Sequence, residues 1–555
     1  MPVSPRKNEA GFTMIAVMLG LSLVVALSLV GVAAVTGDIH LSRNDLDHRR
    51  AYEAAKAGVN DYLYHLHKDT GYWARCTNVK PENNAVNQQG STAKRRPMPG
   101  NTGGTYAIEL LPAAGQAQYT QCKPETTATA TASMLEPTGP MKGTFRIRSN
   151  GFSGGVKSSI TTTFKPATFL DYVYFTQRET LDPVTYGYPN PSAELTGVNS
   201  QCSKPLQERD LQANVKPLKE AGRNSAPIPN VKDKNGNSIY CVVISFVKGD
   251  SINGPMHTND SFVISGSPTL GRSPADPVEV SGPPKGWFST KEVPQSGSSE
   301  TGSSSNFKGT FTANAPVINP PPSNSALKTI AGLKFSGQVR ICLNGGNITV
   351  GAGKTCTESI QYSGPIPANG VVYVEGTACP TVYSPFTATY PATSTCGNAY
   401  IHGEYSGQLT LATENDIIVD GSLVHSGEGV LGLVANNFVR VYHPFSSNET
   451  STELGRNECN GGKNGPGSLE NLRIDAAILA IEHSFIVDHY DCGAALGTLT
   501  VNGAIAMKYR GPVGTSGGSG YIKNYNYDDR LRYIQPPSFI EPAESDWVIG
   551  RETIG

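Results

Sequence analysis

An uninterrupted apolar stretch opens the chain. From Ala10 to Gly37 the sequence carries no charged residue, and ~20 apolar residues are enough for a helix to cross the ~30 Å hydrocarbon core of a bilayer. Arg6 and Lys7 precede the stretch, and positive charge marks the cytoplasmic side of a membrane segment. The pattern therefore predicts a single-pass protein of the cytoplasmic membrane that spans it at residues 12–37, with its N-terminus in the cytoplasm and its bulk extracytoplasmic.

An amphipathic pattern follows the apolar stretch without a break. Apolar residues recur there mostly at intervals of three and four, which is the spacing of one helix face. They are Leu41, Leu46, Tyr52, Ala55, Val59, Tyr62, Leu63 and Leu66. We therefore expect one long N-terminal helix over residues 12–70, about 85 Å long at ~1.5 Å per residue. The outer half of such a helix must lie on a folded domain or on other helices.

The remaining chain is patterned for strands. Residues 71–170 hold alternating runs such as TYAIELLP at 105–112, separated by Gly-rich turns, which predicts a small antiparallel sheet. From 171 to 555, short apolar runs bounded by Gly, Asn, Asp or Ser are compatible with a sandwich, a barrel or a solenoid. Because no hairpin signal links consecutive runs, we favour a right-handed parallel β-helix. The predicted fold class is thus an α+β N-terminal part followed by a mainly β domain.

One segment of the distal part differs in composition. Residues 283–325 are rich in Ser, Gly and Pro, a composition typical of loops and linkers. We expect this segment to be a flexible insertion within the β domain rather than a domain boundary.

The cysteines indicate an oxidising compartment. The chain has ten of them, spread along its length: Cys76, Cys122, Cys202, Cys241, Cys342, Cys356, Cys379, Cys396, Cys459 and Cys492. An even set in an exported chain is expected to form disulfides. The simplest hypothesis joins sequence neighbours, 76 to 122, 202 to 241, 342 to 356, 379 to 396 and 459 to 492, although many other connectivities are open. The net charge is −1, so charge gives no indication of nucleic-acid binding.

The N-terminal residues carry a family resemblance. The leader RKNEAG at 6–11, followed by FTMI at 12–15 and the apolar helix, resembles the class III signal of type IV pilins and pseudopilins. The resemblance implies that prepilin peptidase removes residues 1–11 by cutting between Gly11 and Phe12. It further implies that the N-terminal helix packs against other pilins in a filament, and that residues 71–170 form a pilin-like domain.

One position departs from the family pattern. Most such subunits have a glutamate at the fifth residue after the cut, whereas this chain has Ala16. PilX-like minor pilins and the pseudopilin of the filament tip are among the members that lack this acid, and AYEAAKAGVNDYLYHL at 51–66 resembles the PilX-like group. The blocks at 249–271, 431–441 and 534–552 resemble β-helical surface modules that follow such anchors. The resemblance thus implies a minor, tip or accessory role.

Acidic and histidine residues offer an enzymatic alternative. Polysaccharide-cleaving β-helices use carboxylates on the solenoid face, and two blocks of this chain supply such groups: Asp250, His257 and Asp260 in one, and Glu482, His483, Asp488 and His489 in the other. In a straight strand the side chains of His483 and His489 would lie about 20 Å apart at ~3.3 Å per residue, too far to share an ion. We therefore expect no enzyme activity, no cofactor and no metal.

These patterns lead to one functional expectation and two alternatives. The chain is expected to be a minor, tip or accessory pilin-like subunit of a type IV pilus or pseudopilus that presents its β domain for assembly, adhesion or partner binding. Its expected partners are prepilin peptidase, other pilins, the membrane and a surface or glycan ligand. The alternatives are a membrane-tethered β-helix enzyme acting on polysaccharide and a signal-anchored surface protein without a filament role. Four tyrosines near the C-terminus, Tyr521, Tyr525, Tyr527 and Tyr533, are interpreted as a solenoid cap rather than a contact surface.

Overall fold

The computed structural model divides the chain into two compact units. The first comprises Met1–Pro166 and Trp547–Gly555, and the second Ala167–Asp546. The structure describes residues 10–69, 71–72, 95–100, 103–113, 135–136, 143–182, 185, 223–232, 238–242, 244–281, 287–289, 294–295, 307–379, 394–446, 463–515, 517–543 and 547–554.

Two α-helices and thirty-three strands are found in these residues. Helix α1 is Ala10–Lys68 and helix α2 is Ser325–Ile330. The first sixteen strands are β1 (Arg96–Pro97), β2 (Thr105–Leu111), β3 (Phe145–Ser153), β4 (Val156–Pro166), β5 (Tyr174–Arg178), β6 (Arg223–Lys232), β7 (Ser238–Val242), β8 (Ser245–Val247), β9 (Ser251–Asn253), β10 (Met256–Thr258), β11 (Phe262–Ser265), β12 (Thr269–Leu270), β13 (Pro277–Val280), β14 (Trp287–Ser289), β15 (Pro294–Gln295) and β16 (Thr310–Ala313). The others are β17 (Leu333–Ser336), β18 (Val339–Gly345), β19 (Asn347–Gly351), β20 (Ile360–Pro365), β21 (Val371–Glu375), β22 (Ala399–Tyr405), β23 (Gln408–Thr413), β24 (Ile417–His425), β25 (Val430–Ala435), β26 (Val439–Val441), β27 (Phe445–Ser446), β28 (Lys463–Asn464), β29 (Arg473–Ala480), β30 (Phe485–Val487), β31 (Ala495–Tyr509), β32 (Gly520–Tyr527) and β33 (Trp547–Ile554).

The first unit packs the C-terminal half of α1 on an antiparallel sheet. The sheet order is β1-β2-β3-β4-β33. The helix buries Ala55, Val59, Tyr62 and Leu66 against strand side chains that include Phe145. These four helix residues belong to the stripe predicted from the sequence, and their spacing of three and four places them on one face.

A glycine lets the helix approach this sheet closely. A Cβ atom on Gly151 of β3 would overlap the backbone carbonyl oxygen of Ala51 in α1. The carbonyl belongs to the main chain and a Cβ atom is fixed directly to it, so neither can turn aside. A side chain at position 151 would therefore force the helix and the sheet apart.

The fifth strand of the first sheet comes from the other end of the chain. Strand β33 pairs antiparallel with β4, and Trp547 stacks edge-on against Phe145 at 4.7 Å between ring centroids. The backbone oxygen of Trp547 lies 3.1 Å from the Nε2 atom of His67. Residues 547–555, expected in the β-helical domain, thus belong to the first unit, because the tryptophan completes the core under α1.

The second unit is built from parallel strands whose spatial order differs from their chain order. One ladder runs β17-β21-β23-β25-β29-β31-β5-β10-β13-β16, with every neighbouring pair parallel. The chain enters this ladder in the middle at β5 and builds outward to β16. It then begins again at the far end with β17, and β31 finally returns to pair with β5. A second parallel ladder runs β18-β22-β24-β26-β30.

Two segments outside the strands cover one outer face of the long ladder. Ile318 and Leu327 from residues 315–331, together with Leu531 and Phe539 from residues 528–543, pack on outward apolar side chains such as Tyr373. Asn324 fixes the first segment by donating from Nδ2 to the backbone oxygens of Thr413 and Val434, at 2.7 and 3.0 Å. The strands of the long ladder therefore bury apolar side chains on both faces of the sheet. A strand of this kind does not show the alternation of apolar and polar residues that marks a sheet with one solvent-exposed face. The covering segment includes part of the expected insertion at 283–325.

Two sequence predictions require correction. The predicted fold class, an α+β pilin-like part followed by a mainly β domain, is corrected. The described residues form a mainly β chain in large sheets, because most apolar runs pair into ladders and the C-terminal strand closes the first sheet. The right-handed parallel β-helix of the distal part stays a prediction. The predicted single-pass localisation, with the N-terminus in the cytoplasm and the bulk outside, is also overturned. Among the residues that the structure describes, no helix carries a long enough apolar stretch to cross a bilayer.

Candidate functional site

The N-terminal part of α1 is an exposed apolar surface. Every large apolar side chain from Met14 to Leu29 is 50–71% exposed. They are Met14, Ile15, Val17, Met18, Leu19, Leu21, Leu23, Val24, Val25, Leu27 and Leu29. Contiguous apolar surface of this kind marks an interaction site in most proteins. We refer to residues 14–29 as the apolar segment.

The predicted processing residues lie at the start of this helix. Gly11 and Phe12 follow Ala10, the first residue of α1, and their side chains lie outside the described residues. Ala16 is exposed within the apolar segment. The processing of the chain between Gly11 and Phe12 stays a prediction.

The members of the first block of acidic and histidine residues contact separate partners. Asp250 accepts from Lys523 Nζ at 2.8 Å, whereas His257 Nδ1 lies 3.0 Å from a carboxylate oxygen of Glu279. Asp260 accepts from the backbone N–H of Glu179 at 3.0 Å. These contacts join residues of neighbouring strands.

The second block is dispersed in the same way. Glu482 pairs with Lys508 at 2.7 Å, and the Nδ1 atom of His483 lies 3.0 Å from Asp182. The other two members are buried: Asp488 pairs with Arg440, and His489 contacts the backbone oxygen of His443. The structure thus brings neither block together into one group facing a common point. The expectation that the chain is not an enzyme stays a prediction.

Arg440 links two buried carboxylates. Its Nε lies 3.1 Å from Asp416 and its Nη1 lies 3.2 Å from Asp488. Burial raises the pKa of Asp416, and the Arg440 guanidinium opposes that rise without cancelling it. The arginine therefore offsets the cost of holding two carboxylates away from water.

The C-terminal tyrosines divide into two environments. Tyr521, Tyr525 and Tyr527 are buried, and Tyr533 is 54% exposed. Strand β32, which carries the buried three, pairs with β31 on one side and with β9 on the other. Strand β32 is therefore flanked by strands on both sides, and the interpretation of these tyrosines as a cap on the last strand is wrong for the three that it carries.

Two of the expected disulfides are confirmed. Cys342 bonds Cys356, and Cys379 bonds Cys396, with Cα atoms 6.0 and 4.5 Å apart. Cys492 is also disulfide-bonded. The side chains of Cys76, Cys122, Cys202, Cys241 and Cys459 lie outside the described residues, so the other expected pairings stay predictions.

One cluster was not predicted from the sequence. The Sγ atom of Cys342 lies 3.2 Å from Nε2 of His402, and Nδ1 of His402 lies 2.8 Å from Asp420. The three residues come from β18, β22 and β24, which are neighbours in the second ladder. They are distant along the chain, and only the pairing register brings them together.

The comparisons with known proteins add one structural likeness. No protein-family model and no curated protein matches the chain. Among solved structures, the competence-associated pilin ComZ from Thermus thermophilus is similar at 12% sequence identity and a TM-score of 0.29, covering 92% of this chain and 97% of that chain. A pilin is therefore among the structures that this chain resembles, but the likeness is too low to assign a fold or a function.

Proposed function

We propose that this chain is an accessory subunit of a pilin-like filament, of the type IV pilus or pseudopilus class. In this role the apolar segment packs against the helices of neighbouring subunits, and the β-rich second unit serves assembly, adhesion or partner binding. Prepilin peptidase prepares the subunit by cutting between Gly11 and Phe12.

The observation that carries the proposal is the division of α1 into two parts. Its C-terminal half is buried on the sheet of the first unit through Ala55, Val59, Tyr62 and Leu66, whereas the apolar segment has at least half of each large side chain in solvent. Burying one such side chain contributes roughly 1.5–3 kcal/mol, so a bundle of these segments supplies a strong association energy. A filament core of helices provides that burial.

Ala16 supports a minor role rather than a major one. By the family resemblance, an acid at this position pairs with the terminal amine of a neighbouring subunit. An alanine cannot neutralise a buried amine, and an unpaired charge in an apolar core is costly. A subunit without the acid is suited to a position where no such amine has to be neutralised, such as the filament tip.

The first test examines processing. The full chain is co-expressed with a prepilin peptidase, and its N-terminus is read by intact mass and sequencing. We expect a chain that begins at methylated Phe12, whereas a Gly11→Leu variant should stay uncut. An uncut wild-type chain would refute the proposal.

The second test examines the apolar segment. Filaments are sheared from cells that express the wild-type chain, Leu23→Lys or the control Lys56→Ala, and the chain is quantified in the filament fraction. Leu23 lies in the apolar segment and Lys56 is an exposed polar residue of the same helix. We expect loss of Leu23→Lys alone. Equal recovery of all three, or absence of the wild-type chain from filaments, would contradict the proposed role.

A further inference from the structure

The Cys342 cluster lies on the outer surface of the second ladder. Along β18, β22 and β24, the side chains of Ile341, Ile401 and Val419 are buried in the core between the ladders. Successive side chains of a strand point to opposite faces, so the next residue on each strand points outward. These next residues are Cys342, His402 and Asp420.

The hydrogen bonds of His402 orient it as a ligand. Asp420 is almost fully buried and accepts the Nδ1 proton of His402 at 2.8 Å, and it also pairs with Arg340. With Nδ1 protonated, Nε2 presents its lone pair to Cys342. A neutral imidazole held by a carboxylate on its far nitrogen is the usual form of a metal-ligating histidine.

Two sulfur atoms complete the donor set. One donor atom each from Cys342, Cys356 and His402 lie within 4.8 Å of one another. A tetrahedral Zn²⁺ has Zn–S distances of ~2.3 Å and Zn–N distances of ~2.0–2.1 Å, so its ligand atoms are about 3.5–3.8 Å apart. The contact between Cys342 and His402 is already 3.2 Å. His402 is 36% exposed, so a fourth position is open to water.

We propose that reduction of the Cys342–Cys356 disulfide converts this cluster into a Zn²⁺ site with Cys342, Cys356 and His402 as ligands. The reductant is a dithiol or a phosphine. Two electrons from the reductant break the S–S bond, and two protons complete the two thiols. A dithiol reductant is thereby oxidised to a disulfide. A phosphine reductant takes oxygen from water and is oxidised to a phosphine oxide. Zn²⁺ then replaces the two thiol protons, which pass to solvent. Asp420 is a positioning residue that holds the imidazole.

The Cys342 cluster is the one candidate metal site in the part of the chain that the structure describes. No other group of three His, Cys, Asp or Glu side chains there has donor atoms arranged to hold a metal ion. The second disulfide, Cys379–Cys396, therefore provides a matched control, because its reduction also yields two neighbouring thiols. This proposal is independent of the filament role.

The test uses the purified full chain and Co²⁺ as a spectroscopic probe for Zn²⁺. The chain is reduced with a phosphine, which competes less for metal than a dithiol does, and is titrated anaerobically with Co²⁺ and then with Zn²⁺. We expect one Co²⁺ to bind with thiolate charge-transfer absorption and intense tetrahedral d–d bands, and Zn²⁺ to displace it. The oxidised chain and Cys342→Ser/Cys356→Ser should lack this signal, whereas Cys379→Ser/Cys396→Ser should keep it.

Two further variants test the imidazole and its support. His402→Ala should remove the nitrogen ligand and change the d–d bands, and Asp420→Asn should keep the bands but weaken Co²⁺ affinity about 10–100-fold, as loss of a carboxylate behind a ligating histidine does. The proposal is overturned if the reduced wild-type chain gains no Co²⁺ signal, if the Cys342/Cys356 double variant binds as the wild type does, or if His402→Ala leaves both spectrum and affinity unchanged. The melting temperature of each oxidised variant verifies that it is folded.

Discussion

Replacing Arg440 by methionine is expected to destabilise the second unit strongly. The side chains of Arg440, Asp416 and Asp488 are only 6, 4 and 0% exposed, and Arg440 lies between Ile418 and Ile486 in the ladder. Removing the guanidinium leaves two carboxylates in an apolar setting. Loss of one partner of a buried ion pair costs about 3–5 kcal/mol, and we expect Arg440→Met to reach that range at neutral pH.

The assay is equilibrium urea unfolding of the full chain, followed by circular dichroism. The control is Lys508→Met, because Lys508 and Glu482 are 31 and 43% exposed and exposed pairs contribute about 0–1 kcal/mol. Arg440→Met/Asp416→Asn/Asp488→Asn should be more stable than Arg440→Met alone, since it carries no buried charge.

The pH dependence of the stability loss tests the role of the buried charges. The loss caused by Arg440→Met should shrink under acidic conditions, where the abandoned carboxylates take up protons. If Arg440→Met costs no more than Lys508→Met, or if its cost is the same at acidic and neutral pH, the reasoning from buried charge is wrong.

Three further outcomes are expected. Gly151→Ala should destabilise the first unit by about 1–3 kcal/mol through overpacking. The control Gly20→Ala should not destabilise it, because a Cβ atom at position 20 meets no neighbouring atom. Equal urea midpoints for the two variants would contradict this prediction. Burial lowers the pKa of His483, but the Asp182 and Asp416 carboxylates together outweigh it and leave the pKa above 6.5. The stabilisation by this ion pair is then fully present below pH 6.5 and is lost as pH rises through the raised pKa. Thermal melts of wild type and His483→Gln should therefore differ more at pH 5.5 than at pH 8.5, and an equal difference would refute the assignment. Phe539→Ala should cost about 3–5 kcal/mol in urea unfolding, because its ring covers the outer face of the long ladder, and a cost under about 1 kcal/mol would show that the cover adds little.

Local patterns predicted those features that depend on neighbouring residues. The helical spacing of Ala55, Val59, Tyr62 and Leu66 identified the face that is buried. Pairing sequence neighbours identified the disulfide between Cys342 and Cys356, because a hairpin turn holds them near each other. Local hydropathy also led to the membrane prediction, which the structure overturns.

Features that depend on register could not be predicted. Cys342 and His402 are 60 residues apart and His402 and Asp420 are 18 apart, and no strict sequence repeat aligns them. The same holds for Asp250 and His257, which were considered as members of one site. Each is instead paired with a residue of another strand, Lys523 and Glu279 respectively. The return of Trp547 to the first sheet likewise has no local signal, since a single strand pattern does not specify its partner.

The docking of β31 on β5 has a consequence for biosynthesis. Arg510, the residue after β31, contacts Glu179, the residue after β5, across 331 residues of sequence. A ribosome therefore exposes the hydrogen-bonding edge of β5 long before the strand that satisfies it has been translated. Bare edges of this kind recruit other chains, and contacts of such sequence separation form slowly. The nascent polypeptide thus passes through an aggregation-prone interval that only completion of translation, or a chaperone holding that edge, can close.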